Sequence, residues 1–174
     1  KRQYQGKNLD EVKTYIENDA KTPIGNKVFV VYGHDEIAKV QLEAILRRWE
    51  LEPIILDQLA SESKTVIEKL EECSKDIHYA IVLATPDDIG YCKDKENDKK
   101  FRVRQNVILE LGMFLSKLGR KRVAILLKTL EGFEKPSDID GLIYIPFANN
   151  VDEVRVNLIK ELSNQGYYIN PANY

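Results

Sequence analysis

The chain has 174 residues, room for one domain with a substantial core and a short appendage. Lysine and arginine number 26 against 28 aspartates and glutamates, a formal net charge of −2, which excludes a globally basic surface for nucleic acid. Apolar residues at 43 % and charged residues at 31 % suit an ordinary soluble fold, and no apolar run approaches the ~20 residues of a membrane span.

Residues 1–26 are polar. Leu9, Val12 and Ile16 have the spacing of a short, weakly amphipathic helix, with Asn8 or Asp10 as cap and Thr22-Pro23-Ile24-Gly25-Asn26 as its breaker. This segment is expected to be a linker or interdomain helix outside the core. The chain opens on Lys1 and its one methionine is Met113, so a preceding sensor domain is a further expectation.

From Lys27 onward strands and helices alternate. Residues 28–32 are a compact apolar run and predict a buried strand. Asp35 caps a helix to about residue 49, with Ile37, Val40, Leu42, Ala44, Ile45 and Leu46 inside it. A second strand is expected over 53–56, a second helix over 65–73 and a third strand over 77–84, closed by Thr85-Pro86-Asp87-Asp88. A loop rich in lysine and aspartate covers 93–100. A third helix, opening at Arg104-Gln105-Asn106 and ending near Gly119, is followed by a fourth strand over 122–127. Turn-like residues 137–141 lead to a fifth strand over 142–145 and a last helix over 151–165.

Short apolar strands without alternation, separated by helices, mean a parallel sheet covered on both faces. Five strands in βα order predict the flavodoxin-like layout, spatial order 2-1-3-4-5, as one α/β domain over 27–174. In that layout ligands bind at the carboxyl ends of the strands, where the order reverses between the first and third. The walls there are Gly33-His34-Asp35 and Thr85-Pro86-Asp87-Asp88, and the third helix starts at the same edge.

At about 100° per residue, Val107, Leu111, Phe114, Leu115 and Leu118 fall on one stripe of that helix, and Asn106 and Glu110 lie on its flank. A glutamate there can be half desolvated and aimed at a cleft. On the pattern alone, an ordinary boundary carboxylate also accounts for it.

The chemistry open to this crevice is narrow. There is no GxGxxG and no Walker motif. A receiver-type phosphorylation site lacks its aspartate, since the third strand ends in Ala84-Thr85. No nucleophile elbow accompanies the two histidines, and Cys73 and Cys92 lack disulfide-framework or zinc spacing, which fits a reducing cytosol. The basic groups Lys99, Lys100, Arg102, Arg104 and Lys117, Arg120, Lys121, Arg122 read as solvated helix ends. Gly33 allows close backbone approach or is a plain loop glycine; His34, Asp35, Asp87 and Asp88 bind a ligand or serve as loop and cap residues. A lone glutamate beside a polar cleft suits cleavage of an N-glycosidic bond, whose transition state carries a ribosyl cation.

Four motifs then point to a family. Val28-Phe29-Val30-Val31-Tyr32-Gly33-His34-Asp35-Glu36, Leu83-Ala84-Thr85-Pro86-Asp87-Asp88 with Gly90, Arg104-Gln105-Asn106-Val107-Ile108-Leu109-Glu110-Leu111-Gly112 and Pro136-Ser137-Asp138-Ile139-Asp140-Gly141 resemble the bacterial TIR-like "predicted nucleotide-binding" family over about residues 27–165. Similar domains are effectors of CBASS and Pycsar antiphage defence, where a cyclic nucleotide triggers assembly and the domain destroys NAD. The resemblance implies a cytoplasmic NAD glycohydrolase with NAD as substrate, no metal and no separate cofactor. It implies Glu110 as catalytic residue, with Gly33, His34 and Asp35 lining the nucleotide side and Asp87, Asp88, Arg104 and Asn106 orienting ribose or pyrophosphate. Residues 58–64 correspond to the loop used in head-to-tail self-association, by which a neighbouring subunit commonly completes the site. The Gly33-His34-Asp35 loop departs from the Ser- or Arg-containing loop of many TIR domains. Two other readings compete: a non-enzymatic TIR self-association module, and a nucleoside deoxyribosyltransferase-like enzyme.

Overall fold

A computed structural model describes residues 25–58, 65–73, 75–134 and 141–173. The expected helix in 1–26, the loop 58–64 beyond its first residue, and most of the 136–141 motif lie outside the described residues.

Strands β1 (Lys27–Val31), β2 (Glu52–Ile55) and β3 (Ala80–Ala84) are joined through helices α1 (Glu36–Arg48) and, between the last two, α2 (Val66–Cys73). After β3 come two short strands, β4 (Asp88–Gly90) and β5 (Lys100–Arg102), then α3 (Gln105–Leu118), β6 (Val123–Lys128), β7 (Ile143–Phe147) and α4 (Arg155–Asn164). The main sheet has the order β2-β1-β3-β6-β7 and is parallel throughout, which is the predicted layout with β6 and β7 as its fourth and fifth strands.

Successive residues of β1 enter opposite faces, as strand geometry requires. Val28 and Val30 pack with Leu42, Leu46, Trp49 and Leu158 under α1 and α4. Phe29 and Val31 pack with Leu70, Val107, Leu111 and Phe114 under α2 and α3. The Phe29 and Phe114 rings lie 4.5 Å apart, so α3 is pinned to the middle of the sheet by an aromatic contact.

Three local expectations change. The segment after β3 is an antiparallel ribbon, with Asp88 opposite Arg102 and Ile89 opposite Phe101. It is anchored by the Phe101 N–H donating to the Gly132 carbonyl (3.1 Å) and the Glu134 N–H to the Phe101 carbonyl (2.8 Å). On α1, Ile37 and Val40 are 72 % and 58 % exposed, while Lys39 is buried. The inward stripe is Ala38, Leu42, Ile45 and Leu46, and the Lys39 stem joins it because its ammonium bonds Glu36 and the Tyr32 hydroxyl at its tip. The last helix begins with a 3₁₀ turn, Val151–Val154, capped reciprocally by Asn150 and Glu153.

Candidate active site

The carboxyl ends of β1 and β3 open the crevice at the switch point. Gly33 follows β1, and a Cβ built there would collide with the Asp87 carboxylate. The absence of a side chain therefore lets the Asp87 side chain lie directly against the β1 loop. The Thr85 hydroxyl, fully buried, donates to the same Asp87 oxygen at 2.9 Å and holds it there. Asp35 caps α1, accepting from the Ala38 N–H at 2.9 Å, and accepts a second bond from Lys128 Nζ at 2.7 Å. The β1 loop is thereby tied to the end of β6.

Between these loops and the helices α2 and α3 is a crevice of about 290 Å³, lined by Val30, Tyr32, Gly33, Leu56, Lys69, Arg104, Asn106 and Glu110. Arg104 is the N-cap of α3, with extended backbone (ψ 142°), and lines the crevice. Glu110 follows in the second turn of α3. It is half-buried, and burial alone pushes its carboxyl up from 4.5 to about 7. No cation or hydrogen-bond donor among the described residues offsets that burial.

Of the residues singled out in the sequence, Gly33, Arg104, Asn106 and Glu110 meet in this crevice. Asp87 packs behind Gly33, Asp35 is engaged by Lys128, His34 is exposed, and Asp88 sits in the ribbon opposite Arg102. Tyr32, Leu56 and Lys69 are additional walls that sequence reasoning missed. The topological rule that located α3 applies equally to α2, whose N-terminal turns carry Lys69. Tyr32 directly precedes Gly33, where a strand residue passes into the site.

A second cavity, about 580 Å³ and mostly apolar, lies on the outer surface between α2 and α3, with Leu70, Ile108, Leu109 and Met113 among its walls. It does not reach the switch point.

A five-stranded parallel sheet of this order, flanked by helices on both faces, is the TIR architecture. The solved TIR domain of the Toll-related receptor TRR-2 from Hydra magnipapillata superposes with a TM-score of 0.57 at 17 % identity, covering 79 % of this chain and 98 % of that one. The chain belongs to the CAP12/Pycsar effector protein TIR domain family, which matches residues 27–149. It is 41 % identical to the protein YuaY of Escherichia coli K12 over 140 residues, 77 % of this chain and 46 % of that protein. Protein tirC of Dictyostelium discoideum is 31 % identical over 155 residues, 85 % of this chain and 72 % of its own length. The Pycsar effector protein XpPycTIR of Xanthomonas perforans is 34 % identical over 85 residues, 49 % of this chain and 27 % of its own length. The chain thus spans about half of the first relative and about a quarter of the Pycsar effector.

Proposed function

We propose that this domain hydrolyses the bond between nicotinamide and ribose in NAD, as the effector of a cyclic-nucleotide-triggered antiphage response. The observation that carries this reading is Glu110: a half-buried carboxylate, pushed up to about 7 by burial, in a crevice at the switch point of a TIR fold. Membership of the CAP12/Pycsar effector family supports the setting.

In the proposed reaction the ionised Glu110 faces the nicotinamide ribose. As the C1′–N bond lengthens, its electron pair returns to the pyridinium nitrogen and positive charge moves onto the ribose. A carboxylate in a poorly solvated site stabilises that charge more than it would in water. Water then adds to C1′ and gives up a proton, so the products are neutral nicotinamide, ADP-ribose and one proton. Asn106 and Arg104 orient the ribose and diphosphate, and Gly33 lines the nucleotide side. His34, Asp87 and Asp88 serve the outer part of the nucleotide, and Asp35 holds the β1 loop. The trigger is sensed by a partner or by a further domain of a longer protein, and it acts by clustering copies of this one.

The test is nicotinamide release from NAD by deliberately clustered protein. Glu110→Ala is expected to lower the rate by at least about 10²–10³-fold, the range for removing one preorganised electrostatic group. Full activity in that variant would end the assignment. A second reading, a self-association module without catalysis, is favoured by one observation, the 580 Å³ apolar groove on α2 and α3. It predicts assembly with no nicotinamide release from wild type under any clustering.

A further inference from the structure

No residue of the β4–β5 ribbon lines the crevice, yet the ribbon carries an apolar face of its own. Ile89 stands directly opposite Phe101, so their side chains share one face, and Lys99 Nζ over the Tyr91 ring (5.9 Å to its centre) continues it. Ile89 is 62 % exposed, and Tyr91 and Phe101 are exposed beside it. Three large apolar side chains gathered on one exposed face mark a contact surface. The 580 Å³ groove between α2 and α3 is the other large apolar feature, with Leu70, Ile108, Leu109 and Met113 among its walls and no ribbon residue. The ribbon is fastened to residues 132–134, beyond β6, so an apolar contact between ribbon and groove joins two copies of the chain. Their charges match. Between Tyr91 and Arg102 five basic residues stand against three acidic ones, and across α2 three glutamates stand against one lysine. The charged walls of the groove, Glu71 and Lys117, cancel, so α2 sets the sign of that surface.

We propose that the β4–β5 ribbon of one copy seats its Ile89, Tyr91 and Phe101 face in the apolar groove between α2 and α3 of a second copy. The two patches differ, so each copy in a pair keeps one of them free and further copies can add in the same way. Apolar burial holds the contact, and the basic ribbon against the acidic wall of α2 sets its register and speeds encounter. Neither surface includes residues 58–64. Both border the crevice: Ile108 and Leu109 directly precede Glu110 on α3, and β5 ends two residues before Arg104. The assignment gives surfaces to the clustering step of the function proposed above, and it rests on that step alone, not on NAD cleavage.

The experiment is sedimentation velocity of the full chain across a concentration series, without NAD, for wild type, Ile89→Glu, Leu109→Lys and an equimolar mixture of the two variants. Wild type is expected to grow reversibly past the dimer. Each variant places a like charge against its counterpart surface and is expected to raise the dissociation constant at least about tenfold. The mixture is the decisive sample. Ile89→Glu keeps an intact groove and Leu109→Lys an intact ribbon, so together they are expected to form a one-to-one pair that grows no further. That pair also shows that both variants are folded. Wild type that stays monomeric or stops at a dimer, variants that assemble like wild type, or a mixture that forms no pair overturns the assignment. A labelled single-stranded oligonucleotide bound by wild type and lost by Ile89→Glu, with no self-association, gives the ribbon to nucleic acid and also overturns it. Because no NAD is present, failure here leaves the proposed cleavage standing, and loss of cleavage leaves this contact standing.

Discussion

Asp35 and Glu110 are carboxylates at the same edge of the sheet, and their surroundings act on them in opposite directions. Burial pushes Asp35 up, but the Lys128 ammonium and the Ala38 N–H more than offset it, leaving the carboxyl below its usual 3.8. Its charged form is therefore favoured by folding: the stabilisation is present above pH 3.8 and is lost as pH falls through the folded value. Asp35→Ala, which removes a helix cap together with an ion pair, is expected to cost about 1–2 kcal/mol in urea melts at pH 7, with the gap closing in acid. Among the described residues Glu110 has no such offset, and folding favours its neutral form. Stability should fall as pH rises from 4.5 through about 7 and level off above. Glu110→Gln is then expected to be more stable than wild type by up to about 3 kcal/mol at pH 8 and equal to it near pH 4, at 1.36 kcal/mol per pH unit. The same titration sets the proposed activity: kcat/KM for NAD should climb as pH passes 7, because the ionised form is the one that stabilises the ribosyl cation.

Among the elements, α3 is the most legible in the sequence. Its stripe of Val107, Leu111 and Phe114 has helical period, and all three are buried against the sheet. Phe114→Ala, which empties a buried site beside Phe29, should cost about 3–5 kcal/mol by chemical denaturation. The β4–β5 ribbon is illegible for a physical reason. Asp88-Ile89-Gly90 and Lys100-Phe101-Arg102 are too short to show alternation, and what stabilises them is pairing with Gly132–Glu134, far along the chain. On α1, hydrophobicity misleads: Ile37 and Val40 face outward because the stripe is set by Ala38, Leu42 and Ile45, and a lysine with an anchored tip covers core as well as an aliphatic residue does. The site divides along the same line. Gly33, Arg104, Asn106 and Glu110 follow from topology and helix phase. Lys69 follows from the same topological rule applied to α2, which the sequence reading applied to α3 alone.

Over the whole molecule, the switch point of a parallel sheet collects the chemistry at one edge, and the outer surface between α2 and α3 carries a large apolar opening. Leu109 lines that opening and is 59 % exposed. Leu109→Lys should leave stability within about 0.5 kcal/mol, as for most surface changes, yet weaken any assembly that uses this surface. Sedimentation velocity across a concentration series checks the second effect, and a thermal melt the first. The half-buried Glu110 carboxylate has one more consequence under the proposed function. The oxidised dinucleotide brings a positively charged ring to a negative site, whereas its reduced counterpart brings an uncharged one and has little reason to stay. Cleavage turns the ring neutral as well, so the attraction that drew the substrate in is extinguished by the reaction itself. The domain would then drain the oxidised pool selectively and shed nicotinamide without a separate release step.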